Sequence, residues 1–260
     1  MKNVALITGA SSGIGQDLAH IHAELKKDLV IVARSEDKLK SLKKELEDKH
    51  DVQVKVIVKD LSDPQSAQEI YDELKAENIE IKYLFNNAGF GGVGDFYKRE
   101  WAKDESMMMV NMVTPSYLCR LFLPDMMKRK QGKILNVSST ASFLPGPGQA
   151  VYYASKAYMQ FFSNALWQEV KAHNITVTNL MPGATKSGFG GRSGMDKTAL
   201  FSHPASSRSV AEAGYKGLMN GDLDVITGVD LATRILIKLK PLIPKKVLLK
   251  QIHKAQTIAD

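Results

Sequence analysis

The sequence predicts an α/β protein built on a doubly wound parallel sheet with helices on both faces. Short β-branched runs alternate along the chain with longer stretches that have helical spacing of apolar residues. Runs such as Leu29-Val30-Ile31-Val32 are apolar throughout, which is typical of strands buried on both faces. A glycine-rich loop follows the first of these runs directly. Together these features favour a repeated β-then-α order and a parallel sheet.

The elements follow from this pattern in chain order. Strands are predicted at 3–8, 28–33, 52–58, 82–86, 132–138, 175–181 and 223–226. Helices are predicted between them at 14–27, 35–49, 65–77, 98–130, 150–173 and 209–219. Ser35 is expected to cap the second helix, and Asp63-Pro64 is expected to start the third.

The 260-residue chain contains no Pro/Ser/Gly-rich linker, so we predict one domain over 1–228 with 229–260 as its basic C-terminal extension. The segment 186–208 has little periodicity, and four glycines fall between Gly188 and Gly194. An irregular stretch of this length within a domain is commonly functional. We therefore expect a substrate lid there.

The net charge of +7 has much of its excess near the C-terminus, where basic residues alternate with Ile, Leu and Val. This pattern indicates either a solvated helix face or a weak contact with an anionic membrane surface. Pro241 and Pro244 argue against a single long amphipathic helix. No nucleic-acid partner is predicted. The basic residues are Arg234, Lys238, Lys240, Lys245, Lys246, Lys250 and Lys254.

A cytoplasmic location is expected from the N-terminus and from cysteine usage. The apolar run after Met1-Lys2-Asn3 is too short for a signal peptide and leads into the glycine loop. Cys119 is the only cysteine, so it cannot form an internal disulfide, and we expect it to be buried in a helix. No metal site is predicted.

The glycine loop after the first strand has the spacing G-x-x-x-G-x-G. Glycines there allow a tight turn and let a pyrophosphate approach the N–H groups at a helix start, where the helix dipole favours negative charge. The alternative is a purely structural turn. The residues expected to bind the nucleotide phosphates are Gly9, Ser11, Ser12, Gly13, Ile14 and Gly15.

The end of the second strand bears on the choice between NAD and NADP. An acidic residue there would bind the ribose 2′-hydroxyl, whereas an arginine would accommodate a 2′-phosphate. This chain has Ala33-Arg34, with no acid in the strand end itself. NADP is therefore favoured, although Glu36 and Asp37 lie close by in sequence.

Three residues could together run proton transfer on a carbonyl. Tyr152 and Lys156 lie four positions apart on a predicted helix, so they share a face, and Ser139 lies upstream after a predicted strand. A free tyrosine has a pKa of about 10, and a nearby ammonium is expected to lower it. Taken alone, a Tyr-x-x-x-Lys pair on a helix is usually a solvated pair.

With Asn86-Asn87-Ala88-Gly89 after the fourth strand, the glycine loop and the Ser139, Tyr152 and Lys156 set, the chain resembles the short-chain dehydrogenase/reductase family. The resemblance covers about residues 3–226 and is greatest to NADP-preferring bacterial reductases. It implies a Rossmann-like fold, an NADP(H)-dependent oxidoreductase, and a homodimer or homotetramer formed through the long helices.

The resemblance also implies catalytic roles. Tyr152 would protonate the carbonyl oxygen while NADPH delivers hydride, and Ser139 would orient that carbonyl. Lys156 would lower the pKa of Tyr152 and bind the nicotinamide ribose. Asn111 would hold a water molecule that links the lysine to solvent; the alternative for Asn111 is a polar packing residue in a helix.

Further cofactor contacts are implied at the ends of three strands. Asp60-Leu61 resembles the adenine contact, although Asp60 could instead cap a turn. Asn87, Ala88 and Gly89 would line the cofactor. The run after the sixth strand resembles the family's P-G-x-x-x-T, with serine where threonine is common, and would hold the nicotinamide side through Pro182, Gly183, Thr185 and Ser187.

The residues expected around the substrate are mostly apolar, which favours a small apolar aldehyde, ketone or alcohol. Arg192 or Lys186 could instead bind an acidic group. Two other functions stay open: an NADP-binding regulatory protein without turnover, and a membrane-surface reductase of a lipid-like substrate. The expected pocket residues are Phe90, Gly91, Gly92, 143–147, Tyr153, Phe189, Met195, Leu200 and Phe201.

Overall fold

A computed structural model describes residues 1–195, 204–239 and 243–256 of the chain. Its strands are β1 (Val4–Thr8), β2 (Leu29–Ala33), β3 (Val54–Val58), β4 (Ile81–Asn86), β5 (Gly132–Val137), β6 (Ile175–Pro182), β7 (Thr185–Lys186), β8 (Ala205–Ser206) and β9 (Asp224–Thr227). Its helices are α1 (Gly13–Glu24), α2 (Glu36–Lys49), α3 (Ser66–Ala76), α4 (Trp101–Met108), α5 (Thr114–Arg129), α6 (Ala150–Val170), α7 (Gly188–Ser193), α8 (Ser207–Asn220), α9 (Leu231–Leu239) and α10 (Lys245–Gln256).

The central sheet has seven parallel strands in the order β3-β2-β1-β4-β5-β6-β9. The direction of winding reverses between β1 and β4, which is where ligands bind in sheets of this type. The predicted doubly wound, Rossmann-like single domain is thus confirmed. β7 and β8 form a separate two-stranded parallel ladder.

Side chains alternate along the strands between two apolar layers. Ala5 and Ile7 of β1 face a layer that contains residues of α1, α2 and α8. Val4 and Leu6 face the opposite layer, formed with residues of α3, α5 and α6. The sheet is therefore covered on both faces, as the continuously apolar strands predicted.

The predicted single helix 98–130 is wrong in its continuity. A 3₁₀ turn at Phe96–Lys98 precedes α4, and a π-helical turn at Met109–Val113 separates α4 from α5. Pro115 follows this turn at the start of α5, where its missing N–H costs little. Such π turns frequently lie at functional sites, and this one contains Asn111.

The predicted lid and C-terminal extension contain more regular structure than expected. Gly188–Ser193 forms the short helix α7, and Thr185 pairs with Ala205 across the segment; residues 196–203 lie outside the described residues. The extension contains α9 and α10, which we had not predicted as separate helices. Leu248 and Ile252 on α10 are buried, so this helix is more than a solvated face.

Smaller expectations have mixed outcomes. Cys119 is buried in α5, as expected. Ser35 occupies the N-cap of α2, but its side chain makes no capping hydrogen bond. The third helix begins at Ser66, after Asp63 accepts a hydrogen bond from the Gln65 N–H. Among the described residues, no helix combines the length and apolar character needed to cross a bilayer.

Candidate active site

The glycine loop turns sharply between β1 and α1. Gly9 and Gly13 adopt φ of +67° and +58°, a backbone conformation that residues with a side chain rarely adopt. Ser12 occupies the N-cap of α1 without a capping hydrogen bond from its side chain. Within the described residues, the first N–H groups of α1 thus have no side-chain acceptor, which suits the binding of a phosphate.

Asn87 ties this loop to the end of β4. Its Nδ2 donates to the carbonyls of Thr8 at 2.9 Å and Gly9 at 3.3 Å. A Cβ on Gly15 would lie 2.4 Å from this nitrogen, and one on Gly9 would lie 2.9 Å from Cα of Ala88. The predicted residues of the loop and of Asn87-Ala88 therefore lie together, in contacts that only glycine permits.

Thr8 was not among the predicted site residues, yet it organises this contact. Its Oγ1 accepts from the backbone N–H of Asn87 and of Ala88, both at 3.0 Å, and donates to Phe85 O at 3.3 Å. Its position immediately before Gly9 was the available signal. A hydroxyl at a strand end can satisfy the backbone groups of the neighbouring strand end.

Arg34 and Asp60 lie together at the outer end of the candidate nucleotide site. Arg34 Nη1 is 3.6 Å from Asp60 Oδ2, and both side chains are substantially exposed. Asp60 also accepts from the Ser62 N–H and hydroxyl at 3.0 and 2.8 Å, so it does cap a turn. Burial alone would raise the pKa of this carboxyl, but the Ser62 hydrogen bonds and Arg34 bring it below the usual value. Leu61 is buried beside it.

Tyr152, Lys156 and Ser139 meet at the carboxyl end of β5. Ser139 lies just beyond β5, and Lys156 Nζ donates to the carbonyl of Val137, its last residue, at 3.1 Å. The same nitrogen lies 5.8 Å from the centroid of the Tyr152 ring, one helical turn away on α6. The three predicted catalytic side chains are thus neighbours, and Lys156 makes no ion pair within the described residues.

The expected lowering of the Tyr152 pKa is wrong for this structure. Burial raises the pKa of the Tyr152 phenol well above its usual value, and its hydrogen bond with Ser139 offsets only part of the effect. Burial also lowers the pKa of Lys156 to about 8. Desolvation disfavours the charged form of both groups, which outweighs the attraction expected from their spacing.

The Ser139 hydroxyl also makes contacts between the ends of β5 and β6. It accepts from the Ala141 N–H at 3.1 Å and lies 3.3 Å from the carbonyl of Pro182, the last residue of β6. The preceding Ser138 donates to Asn179 Oδ1 at 2.6 Å and is fully engaged in the sheet. Of the two serines, Ser139 is the one whose side chain is hydrogen-bonded to Tyr152.

Asn111 lies in the π turn and contacts the same centre. Its Oδ1 accepts from the Phe90 N–H at 3.1 Å, and its Nδ2 donates to Phe90 O and Ser155 Oγ at 2.9 and 3.0 Å. A Cβ on Gly89 would lie 3.1 Å from this Oδ1 and 3.2 Å from Lys156 Nζ. Gly89 thus leaves room between the amide and the amine, and Asn111 also serves as the polar packing residue of the alternative interpretation.

The segment after β6 returns to the glycine loop. Gly183 donates its N–H to Thr227 O at 2.9 Å, and Thr185 donates its hydroxyl to Gly183 O at 3.0 Å. Ser187 caps α7 by accepting from the Phe189 N–H. A Cβ on Gly13 would lie 2.8 Å from Cβ of Ser187, so Ser187 lies over the candidate phosphate site.

An apolar cluster covers Tyr152. The Phe189 ring centroid is 5.6 Å from that of Tyr152, and Met195 packs in the same cluster. Gly91 allows this approach, since a Cβ there would lie 2.9 Å from Met195 Cε. Phe90 and Leu144 also join the cluster.

The other predicted pocket residues have separate outcomes. Gly92 packs against Arg99, whose ion pair with the buried Asp104 at 2.8 Å was not predicted. Lys186 is exposed. Leu200, Phe201 and the side chain of Arg192 lie outside the described residues.

The sheet reverses its winding between β1 and β4, and the glycine loop and the uncapped start of α1 lie at that point. The acid/base pair Tyr152 and Lys156 lies at the same edge of the sheet. This is the architecture of an oxidoreductase that uses a nicotinamide dinucleotide. The chain belongs to the short chain dehydrogenase family, whose model matches residues 3–197.

Curated relatives cover the same part of the chain. A very-long-chain 3-oxoacyl-CoA reductase of Anas platyrhynchos is 35% identical over 188 residues, 68% of this chain and 58% of its own length. An inactive hydroxysteroid dehydrogenase-like protein 1 of Homo sapiens is 33% identical over 184 residues, 68% of this chain and 54% of its own length. The matched region thus spans little more than half of these relatives.

Solved structures match over nearly the whole chain. A short-chain dehydrogenase from Sphingobium yanoikuyae in complex with NADPH is 30% identical with a TM-score of 0.83, covering 99% of this chain and 98% of the other. A bulky-bulky ketone specific alcohol dehydrogenase from Comamonas testosteroni is 28% identical with a TM-score of 0.79, covering 98% and 96%.

Proposed function

We propose that this protein is an NADP(H)-dependent oxidoreductase that interconverts a carbonyl and an alcohol on a small, mostly apolar substrate. The observation that carries the proposal is that Tyr152, Ser139 and Lys156 lie together beneath an apolar cluster. They lie at the carboxyl edge of the sheet, as does the glycine loop after β1. The NADPH complex of the Sphingobium relative and the ketone specificity named for the Comamonas relative support it.

The residues present fit a nicotinamide dinucleotide. The uncapped start of α1 would hold the pyrophosphate, and Arg34 would hold a ribose 2′-phosphate. Gly89 leaves space beside Lys156, which would bind the nicotinamide ribose, while Thr185 and Ser187 would flank the ring's carboxamide side. When bound, the nicotinamide supplies hydride.

In this proposal side chains of the protein donate the proton and orient the substrate. The Tyr152 hydroxyl donates its proton to the substrate oxygen, and the Ser139 hydroxyl holds that oxygen in place. A tyrosine with its usual pKa of about 10 is protonated at neutral pH, and burial, which raises the pKa of Tyr152, preserves this form, the one that carbonyl reduction requires. The cover formed by Phe189 and Met195 excludes water from the reacting groups.

Tyr152→Phe tests the reaction directly. We expect turnover to fall by about 10² to 10⁴, the usual contribution of a positioned acid, while NADPH binding persists because the ring remains. Turnover is measured as NADPH absorbance over a panel of ketones and aldehydes, and binding as NADPH fluorescence. Tyr158→Phe, on the exposed side of the same helix, is the matched control. Wild-type turnover in Tyr152→Phe would overturn the proposed role.

A regulatory protein that binds NADP without turnover is the second candidate, and the relative named as inactive favours it. The same measurements separate the two. NADPH binding by the wild-type protein with no turnover across the panel would support the regulatory role. The cytoplasmic location and the homo-oligomer expected from the sequence stay predictions.

A further inference from the structure

The C-terminal helix brings a buried amide to Tyr153, the residue next to Tyr152 on α6. Gln256, on the last turn of α10, is only 3% exposed. Its Nε2 donates to the Tyr153 hydroxyl at 2.6 Å, a contact between residues 103 positions apart. The family match ends at residue 197, so α10 lies in the part of the chain that the family model does not cover.

The amide oxygen of Gln256 has no partner. Gln256 Oε1 is buried and finds no donor among the described residues. A buried acceptor without a donor is costly, and such groups are normally satisfied. Gln149 Oε1, at the start of α6, is also buried and without a donor in the described chain. Two unsatisfied acceptors thus belong to residues that adjoin Tyr153.

The hydroxyl of Tyr153 provides a hydrogen-bond donor next to the Gln256 amide. It accepts from Gln256 and keeps its own proton for a further hydrogen bond. Burial raises the pKa of Tyr153 to about 12, so the hydroxyl stays protonated at neutral pH. The pair therefore offers one donor and one acceptor, which together match a hydroxyl or an amide group.

The position of the pair is set by tight packing. The Tyr153 ring meets the Tyr152 ring edge to face, with centroids 5.9 Å apart. A Cβ on Gly146 would lie 2.2 Å from the Tyr153 ring, so Gly146 lets the ring lie flat against its loop. Gln256 contacts the hydroxyl end of Tyr153, and the surrounding cluster is apolar. A few polar groups in an apolar pocket commonly fix the orientation of a ligand.

We propose that Gln256 and Tyr153 form a polar subsite of the substrate pocket, which binds a hydroxyl or amide N–H on the substrate remote from the reacting carbonyl. The inference rests on the proposed function and deepens it. The substrate class becomes an apolar ketone or aldehyde that carries a second, hydrogen-bond-donating group. Gln256 accepts from that group, and Tyr153 donates to its oxygen.

The test compares a hydroxyketone with its deoxy analogue. We expect the wild-type protein to prefer the hydroxyketone in kcat/KM by about tenfold or more, the scale of satisfying a buried acceptor. Gln256→Leu should abolish the preference, because it should lower kcat/KM for the hydroxyketone more than for the deoxy analogue. Gln251→Leu, on the exposed side of the same helix, should behave as wild type.

Other outcomes overturn the inference. Equal loss for both substrates in Gln256→Leu, or in the similarly shaped Gln256→Met, would show a structural role only. A wild-type protein with no preference would exclude the subsite.

Calorimetric binding of both compounds to the NADPH-saturated protein separates this inference from the proposed function. A preference that is seen in binding and lost in Gln256→Leu supports the subsite, even where turnover is absent and the proposed function fails. Equal binding of the two compounds overturns the subsite, even where both are turned over.

Discussion

Burial raises the pKa of Tyr152 and favours its protonated form, whereas a charged amine beside it would favour the phenolate. Lys156 donates to Val137 O, and burial lowers its pKa to about 8, so the amine is still mostly protonated at pH 7. The phenol, whose pKa burial raises, holds its proton. Carbonyl reduction uses the protonated phenol as the acid, whereas alcohol oxidation uses the phenolate as the base.

Sequence spacing could predict that Tyr152 and Lys156 are neighbours, but it could not predict the direction in which the pKa of Tyr152 shifts. The i, i+4 relation of Tyr152 and Lys156 placed them on one face, as the structure has them. The sign of the Tyr152 pKa shift depends on the cover of Phe189 and Met195, which come from a distant segment. Desolvation is a property of the assembled pocket, so the local sequence could not give it.

Arg34 allows a test of cofactor choice at the residue scale. We expect Arg34→Ala to raise KM for NADPH by about tenfold or more, because a charged hydrogen bond to phosphate is lost, and to leave KM for NADH nearly unchanged. Steady-state kinetics with both coenzymes provide the measurement. Lys40→Ala, which removes an exposed cation from α2, is the control. Equal increases for both coenzymes would contradict the NADP assignment.

At the scale of elements, apolar periodicity predicted the strands of the sheet and its flanking helices within a few residues. It failed where periodicity continues but hydrogen bonding changes, as in the π turn at Met109–Val113. It also failed for α10, where Leu248, Ile252 and Gln256 form one buried stripe. A glutamine in that stripe has no local explanation, because its partner Tyr153 lies far away in sequence.

His22 joins α1 to α8 and to the N-terminus, and it makes the packing of these elements dependent on pH. Its ring nitrogens lie 3.0 Å from the Tyr215 hydroxyl and 3.0 Å from Asn3 O. Burial lowers the pKa of His22 from 6.5 to about 3. Between these pH values the unfolded chain binds a proton at His22 and the folded chain does not. The free energy of unfolding therefore decreases as pH falls from about 6.5 towards 3.

We expect His22 alone to remove about 2 kcal/mol of unfolding free energy between pH 7 and pH 5. Urea unfolding at the two pH values measures the loss. His22→Gln should be less stable at pH 7 but should show a smaller loss on acidification. His173→Gln, at a less buried position, should keep the wild-type dependence. An unchanged pH dependence in His22→Gln would show that this histidine does not control it.

At the scale of the whole molecule, α10 turns a buried face towards Tyr153 and the opposite face to solvent. Lys246, Lys250 and Lys254 are exposed and lie one turn apart, about half a turn around the helix from the buried stripe. This charge complements anionic lipid, so we keep weak membrane-surface contact as a proposal. Deleting the extension would also remove Gln256, so substitution is the cleaner test.

Replacing these three lysines by glutamine should lower the affinity for anionic vesicles on the order of a hundredfold, since each lysine contributes about 1 kcal/mol near such a surface. Sedimentation with the vesicles measures this affinity. Neutral vesicles should bind neither protein. The same substitutions at the ion-paired Lys40, Lys44 and Lys49 of α2 serve as the control. Binding unchanged by the α10 substitutions would exclude this contact.

The outer surfaces of α5 and α6 carry the prediction of a homo-oligomer. Phe161 is 72% exposed on α6, and Tyr158 and Tyr117 are exposed on the same two helices. Tyr158 stacks on Phe162 and bonds to Ser116, so the ring is already held in place. An apolar surface of this kind on two long, packed helices is typical of a subunit interface.

Phe161→Asp should convert the oligomer to a monomer, because pairing two copies would then desolvate an unpaired carboxylate at the contact. Sedimentation velocity measures the change in mass. Leu25→Asp is the matched control, since Leu25 is 51% exposed but follows α1, away from these helices. A Phe161→Asp protein that keeps the wild-type mass would place the interface elsewhere. A wild-type protein that sediments with the mass of one chain would show that the predicted homo-oligomer does not form.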